Sequence, residues 1–482
     1  MDKIVFVVGS QFLYGEDCLK SVLEDGRKIV SCLNSKIDNA EIVLAPLAVD
    51  SDTIESIVKK ANADDEVLGL IGWMHTFSPS KMWIRGLKIL QKPYLHLHTQ
   101  ANERIPYATI DMDFMNLNQS AHGDKEHAYI LSRMGIPHAI VDGYYQEEQV
   151  VSEIRSWIDV VRAYRFSNHL NVVRFGDNMR DVAVTDGDKV DSQIRFGWSV
   201  NTYAVGDLVQ EMAKVSDSDI EKTYSEILGK YVLATENIAA VKEQVRCYLA
   251  MKKFLAERKA KAFSNTFEDL YGMHHLPGLA TQMLMDEGIG YAGEGDYKTA
   301  ALDSIVMELA KGRKGATGFM EDYTYDYDRE VVLGAHMLEV SPRFAKNQPR
   351  IEVHPLAIGN KEDPARLVFE GVEGEGYALS LIWLGNRYRL IALRISLVEE
   401  TEKMPNLPVA SIMWKIHPDF RKGLEAYLMA GGSHHTVVTT QVTKEEIQML
   451  SSLYGIECLF IDETLDLERF QERLQEGNVK RF

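Results

Sequence analysis

Cysteine is scarce: four in 482 residues, at Cys18, Cys32, Cys247 and Cys458, with no C-x-x-C pair. That scarcity argues against a zinc ribbon, a dithiol redox motif and a disulfide-stapled scaffold, and it fits a reducing compartment. Long apolar runs are also missing. Nothing reaches the ~18 consecutive apolar residues of a membrane span, and the apolar stretch at residues 4–8 is too short for a signal peptide. A cytoplasmic protein is expected. Positive charge is in deficit, with 53 Lys and Arg against 71 Asp and Glu, for a formal net charge of −18. Nucleic acid and anionic membranes need a basic face, so neither is an expected partner. Internal repeats and low-complexity tracts are lacking too, which argues against a solenoid or a disordered tail.

What remains is an ordinary globular composition, 45% hydrophobic and 26% charged. At about 150 residues per domain, the length predicts three domains. In the N-terminal third, apolar runs at 4–8, 42–46, 67–73, 93–98 and 136–141 alternate with helical patterns at 18–33, 51–63 and 146–162. This alternation is the pattern of a parallel α/β sheet. Ligands of such sheets collect at the carboxyl ends of the strands, where the loops 9–15 and 75–79 lie. A second unit starts near Asn171, runs through a polar helical region at 207–261 and ends near Gly315. No Pro- or Gly-rich linker marks its start. The pattern then changes. Strand-like runs at 366–370, 377–384 and 388–398 are joined by short turns at 371–376 and 385–387. Close turns imply antiparallel pairing. A helix at 443–454 and a strand at 457–461 follow.

Between residues 293 and 340 the chain sets metal-capable side chains where a core would reject them. Glu294 lies in Gly293-Glu294-Gly295-Asp296, Glu321 in Phe319-Met320-Glu321-Asp322-Tyr323, and His336 in Leu333-Gly334-Ala335-His336-Met337-Leu338. A carboxylate is costly to bury unless it is paired or bound to a cation. Two acids and an imidazole in one segment therefore suggest a divalent-metal site. Each also has a plainer reading. Glu294 is equally a turn acid, Glu321 a surface-strand or helix-start acid, and a lone His336 in an apolar run a core residue. The glycines here do not make a phosphate loop, because Tyr297 stands where a glycine must precede Lys298. Asp326 and Asp328 lack the glycine and terminal glutamate of a calcium loop.

Gly431-Gly432-Ser433-His434-His435-Thr436 adds two imidazoles on a flexible backbone. Adjacent side chains on an extended strand face opposite ways. One of the pair is expected to face a metal, and the other to pack or bind substrate. His274 and His275 lack the glycine setting and read as structural. In the N-terminal third, Asn116-Leu117-Asn118-Gln119-Ser120-Ala121-His122-Gly123 is either a simple turn or a set of short groups suited to sugar hydroxyls, which both donate and accept hydrogen bonds. Tyr14, Phe77, Trp83 and Phe267 are equally walls of a sugar pocket or core.

These blocks, together with Val8-Gly9-Ser10-Gln11-Phe12-Leu13-Tyr14-Gly15, Met74-His75-Thr76-Phe77-Ser78-Pro79 and Arg174-Phe175-Gly176-Asp177-Asn178-Met179-Arg180, resemble the L-arabinose isomerases over essentially the whole chain. The resemblance implies an α/β fold class: two Rossmann-like α/β domains followed by a C-terminal domain with an antiparallel β-barrel, expected at 1–170, 171–314 and 315–482. It implies a manganese-dependent aldose–ketose isomerase that converts L-arabinose to L-ribulose, and D-galactose to D-tagatose, through a cation-stabilised cis-enediolate. Glu294, Glu321, His336 and His435 are the implied metal ligands, the family pattern favouring the second histidine of the pair. Glu294 and Glu321 are also the implied acid–base catalysts. One Mn2+ per subunit suits two carboxylates and two imidazoles, and Co2+ or Zn2+ could bind the same set.

Gln11, Leu13, Tyr14, Phe77, Gln119, His122, Met179 and Phe267 fall at positions that line the family's substrate pocket. Members assemble as trimers, hexamers or tetramers with sites completed by a neighbouring subunit, so a homo-oligomer (a hexamer or tetramer) with composite sites is implied. Two positions depart from the pattern: Phe12 stands where many members carry His, and Tyr297 where many carry Trp. Neither is an implied ligand, so both bear on substrate preference. Two rival readings differ in testable ways. Another metal sugar isomerase, such as one for L-fucose, would share the chemistry and differ around Phe77, Met179 and Phe267. A non-catalytic sugar-binding protein would need no Glu–Glu–His–His set.

Overall fold

The computed structural model describes residues 2–479 apart from 357 and 359. The chain divides into two compact units, Met1–Arg165 and Phe166–Phe482.

In the first unit, β1 (Lys3–Gly9), β2 (Glu41–Leu44), β3 (Val67–Met74), β4 (Tyr94–His98) and β5 (His138–Asp142) form a parallel sheet in the order β2-β1-β3-β4-β5. All five expected strands are present, their ends shifted by at most two residues. β3 is buried along its whole length, as a strand covered on both faces must be. The helix Ser51–Ala63 shows how one such cover is encoded. Asp50 caps it by accepting from the Thr53 N–H, and Ile54, Ile57, Val58 and Ala61 are its buried residues. That i, i+3, i+4, i+7 spacing makes one apolar stripe, which packs into a core with Val67, Leu70 and Trp83. Each buried Ile or Val stabilises the fold by about 2 kcal/mol.

β1 and β3 are neighbours, so the loops at their carboxyl ends meet. The Thr76 hydroxyl donates to Ser10 Oγ at 2.8 Å, and Gln11 Nε2 donates to the Phe77 carbonyl at 3.0 Å.

In the second unit, β6 (Asn171–Phe175) and β7 (Ser199–Tyr203) precede a helical region. The expected stretch 207–261 resolves into three helices, Val205–Met212, Asp217–Leu228 and Ile238–Glu257. A two-residue strand β8 (Val232–Leu233) interrupts them. β9 (Ala260–Asn265) and β10 (Gly290–Ala292) complete a parallel sheet in the order β10-β9-β6-β7.

The strands β11 (Thr317–Asp326), β12 (Val331–Ala335), β13 (Arg350–Val353), β14 (Ala365–Val368), β15 (Gly374–Trp383), β16 (Tyr388–Val398), β17 (Ile412–Ile416), β18 (His435–Thr439) and β19 (Glu457–Ile461) follow. β15-β18-β11-β12-β17-β16 run antiparallel, and β16 pairs back onto β15, closing the ring into a barrel. β19 joins β16 in parallel, and β13 and β14 form a small sheet with β8. Among the described residues, no helix is long and apolar enough to cross a membrane.

The helix Tyr297–Leu309 joins the parallel sheet to the barrel. It packs against β9, β10, β11 and β18, and all of its residues but Glu308 are buried. Eight of its thirteen residues are apolar, and the buried Lys298, Thr299, Asp303 and Ser304 each find a hydrogen-bond partner inside. Its Asp303 is fully buried: one oxygen accepts from the Tyr291 N–H at 3.1 Å, and the other has no hydrogen-bond partner. Burial pushes this carboxyl up to about 7. The folded state therefore favours the protonated acid. The stability it contributes is fully present below about pH 4 and is lost as pH rises to about 7, by about 4 kcal/mol at most. Asp303→Asn has no such titration, so its melting temperature should vary less with pH across that window. Calorimetry at several pH values checks this, and an unchanged slope would refute it.

Candidate metal centre

Three neighbouring barrel strands bring the sequence-distant groups together. Glu321 in β11 stands directly opposite His435, the first residue of β18, and opposite Ala335, the last residue of β12. His336 follows Ala335 in the chain, so a row of His435, Glu321 and His336 crosses one end of the barrel. Phe319 lies two residues before Glu321 and hence on the same face. Its ring meets His336 and His435 edge-on, with centroids 5.1 and 5.0 Å away.

Glu294 arrives from the other side, on the loop between β10 and the helix Tyr297–Leu309. Its backbone is left-handed, with φ +58, an unfavourable state for a residue bearing a side chain and one that clusters at functional sites. Gly295 continues the turn at φ +78, where a Cβ would come within 2.4 Å of the Asp177 carbonyl. The glycines thus let the acid turn into the barrel mouth.

The four groups Glu294, Glu321, His434 and His435 offer ligand atoms that all lie within 4.8 Å of one another. His435 Nε2 is 3.1 Å from Glu321 Oε1 and 3.7 Å from Glu294 Oε2. His434 Nε2 is 3.4 Å from Glu294 Oε2 and 3.7 Å from Glu321 Oε1. Donors about 2.1 Å from a shared ion stand about 3 Å apart when adjacent and about 4.2 Å when opposite, so the spacing suits one divalent cation. The buried His435 Nε2 makes no aligned hydrogen bond. A buried imidazole nitrogen that faces two carboxylate oxygens without an aligned hydrogen bond to either offers the donor set a divalent cation takes.

Further carboxylates hold the imidazoles from behind. Asp296 Oδ2 pairs with His435 Nδ1 at 3.1 Å, and Glu339 Oε2 pairs with His336 Nδ1 at 2.6 Å. Such pairs fix the tautomer and aim Nε2 at a metal. His336 Nε2 accordingly lies 4.0 Å from Glu321 Oε1. Burial alone pulls the His435 imidazole down, but the Asp296 and Glu321 carboxylates outweigh it and lift it to about 9. Burial likewise pushes Glu321 up, and the facing His336, His435 and His434 rings overcome this and hold it below the usual carboxylate range. Asp296 ends well below that range, because Lys298 and His435 outweigh its burial.

The structure brings Glu294, Glu321 and His435 into one cluster and sets His336 at its margin. The alternation of an extended strand is not obeyed by the histidine pair. His434 lies in a bend just before β18, so both rings turn toward the two acids. Asp296 and Glu339 were not expected in a role. Their only sequence signal is an acid two or three residues from a candidate ligand.

Met179 donates its N–H to the Glu294 carbonyl at 3.0 Å. Phe267 is half-buried in the loop after β9. The remaining expected residues gather in the first unit. Gln119 Nε2 donates to Tyr14 Oη at 3.1 Å, the Phe77 and His122 rings stack at 4.9 Å, and Gln11 reaches the Phe77 carbonyl. Leu13 is 82% exposed beside them. Asp124, two residues after His122, is buried, accepts from the Met74 N–H and pairs with His96 and His98. Trp83 belongs to the core, His275 pairs with the Asp363 carbonyl, and Asp326 accepts two backbone N–H groups in the β11–β12 turn.

Residues 1–169, 171–312 and 316–457 match, in turn, the families described as L-arabinose isomerase N-terminal, central and C-terminal domain. The chain is 49% identical over 475 residues to an L-arabinose isomerase of Thermotoga petrophila, covering 98% of this chain and 96% of the relative. It is 50% identical to L-arabinose isomerase 2 of Clostridium acetobutylicum, with 97% of each chain covered. To an L-arabinose isomerase of Geobacillus thermodenitrificans it is 48% identical, over 98% of this chain and 97% of the relative.

Proposed function

Because this chain belongs to the L-arabinose isomerase family, we propose that it interconverts L-arabinose with L-ribulose, and D-galactose with D-tagatose. It is a metal-dependent aldose–ketose isomerase. The observation that carries the reading is the convergence of Glu294, Glu321, His434 and His435 on one point, with His336 Nε2 4.0 Å from Glu321 Oε1 at its margin.

In this reading Glu294, Glu321, His336 and His435 hold one Mn2+, for which Co2+ can substitute. The Glu339 contact that frees His336 Nε2 supports the place of His336 in the set. His434, with 40% of its side chain exposed against 0% for His435, faces the sugar. When bound, the cation supplies a Lewis acid for the carbonyl and its neighbouring hydroxyl. The chain's own groups do the rest. The C2 proton of the aldose passes to the Glu294–Glu321 pair, the O2 proton moves to O1, and the carboxyl proton returns to C1. No atom is gained or lost, and the product is the ketose. The buried Phe319 lines the apolar side of the site with its ring edge-on to His336 and His435.

Sugar recognition is assigned to Gln11, Leu13, Tyr14, Phe77, Gln119, His122, Met179 and Phe267. We further propose a homo-oligomer, a hexamer or tetramer, in which the first-unit group of one copy completes the site of another. The exposed Leu13 and Phe12 support this. The domains are taken as 1–170, 171–314 and 315–482, supported by the change from parallel to antiparallel strands between β10 and β11. Cytoplasmic residence is supported by four unpaired cysteines.

The test is to incubate Mn2+-loaded protein with L-arabinose, D-galactose and L-fucose and to measure ketose. Product from the first two is expected. Product from L-fucose alone would make the chain a deoxy-sugar isomerase, and product from none would leave only a sugar-binding role.

A further inference from the structure

Lys298 is completely buried in the first turn of the helix Tyr297–Leu309. Two general rules disfavour it there. A buried ammonium loses its hydration, and the amino end of a helix repels cations. Ordinary packing would be served by an apolar side chain. What the ammonium meets explains its presence. It donates to Asp296 Oδ1 at 2.9 Å, to the Thr185 carbonyl at 2.8 Å and to the Val184 carbonyl at 3.3 Å. Three N–H groups find three oxygens, so the group is saturated.

Asp296 is thereby fixed. Its Oδ1 also accepts from the Lys298 and Thr299 backbone N–H groups, both at 3.2 Å. Its Oδ2 accepts from the Thr299 hydroxyl at 2.8 Å and faces His435 Nδ1 at 3.1 Å. A carboxylate held at both oxygens cannot rotate away. An acceptor held against Nδ1 keeps the proton there, so Nε2, turned toward Glu294 and Glu321, is the nitrogen that gives up its proton to a cation. The same ammonium ties down the Thr185 carbonyl, which also accepts from Asn178 Nδ2 at 2.7 Å. Asn178 precedes Met179, whose N–H is bonded to the Glu294 carbonyl. One buried cation therefore braces the backing of a metal-facing imidazole and the loop that contacts a metal-facing acid.

We propose that Lys298 is a positioning residue for the metal, acting through Asp296 to hold His435 Nε2 toward the ion. The inference rests on the reading of the cluster as a metal centre. It is tested by calorimetric titration of the metal-free full-length protein with Mn2+. Lys298→Met should raise the dissociation constant by about 10–100-fold, the range for loss of outer groups that orient a ligand. Asp296→Asn should do the same, and the double variant should bind no more weakly than Asp296→Asn alone. A packing role that does not pass through Asp296 would instead give additive losses, and this would overturn the proposal, as would wild-type affinity in Lys298→Met. If Lys298→Met does not fold, Lys298→Gln removes the charge but keeps an amide donor. A several-fold weaker binding is then expected, and unchanged binding overturns the proposal. A wild-type protein that takes up no Mn2+ would overturn the metal-centre reading itself, an outcome distinct from wild-type binding with unaffected variants.

Discussion

Glu321→Gln should fold and bind sugar yet lose turnover by about 10^3-fold or more. Glutamine has the shape of glutamate, so the packing of β11 between β18 and β12 is retained. The neighbouring imidazoles keep their other carboxylate partners, Asp296 beside His435 and Glu339 beside His336. No uncompensated buried charge is therefore left behind. What disappears is a group that no neighbour replaces, an anionic oxygen able both to ligate and to carry a proton. The check is kcat on L-arabinose beside a near-ultraviolet circular dichroism spectrum. Turnover close to that of the unaltered protein, with an unaltered spectrum, would remove Glu321 from the chemistry.

The second large effect is expected from chelation. Glu294 and Glu321 converge on one point, with Asp296 and Glu339 behind the rings that face them. Only the folded chain assembles this set, so a cation bound to it stabilises the fold by mass action. At a free Mn2+ concentration 100 times the dissociation constant, the gain is about 2.7 kcal/mol, or roughly 5 °C in melting temperature for a unit of this size. Protein stripped with EDTA should melt lower by that amount and recover on addition of Mn2+. Differential scanning calorimetry decides the matter, and a melting temperature indifferent to both treatments would argue that no ion is held there.

Much of this architecture is legible in the sequence because local periodicity carries it. The strands of the first sheet and the helix at Ser51–Ala63 are written in apolar spacing and caps, and they lie where the pattern puts them. The strand run at Tyr388–Val398 is read equally well. The helical region at 207–261 is less legible, since its polar composition hides the breaks that make it three helices and the start of β9.

At the site, Glu294, Glu321 and His435 stand out because each sits among glycines or apolar residues that do not account for it. His434 escapes the pattern because a bend, not a strand, carries it. Asp296 and Lys298 escape it for another reason. Their meaning lies in partners 139 residues away at His435 and 113 residues away at Thr185, and no local rule reaches that far.

The closed ring of barrel strands bears on how such a protein can change over generations. Glu321 and His435 face each other as register partners of antiparallel strands. Inserting one residue in either strand would swing one of them to the opposite face, and a ring without free edges has nowhere to slide. The irregularity in the β11–β12 pairing falls at Asp322–Thr324, just past Glu321, so even the bulge spares that position. Inherited variation is thereby steered away from the strands and toward the segments that connect them. The connections can lengthen or change while the register that sets Glu321 against His435 stays put.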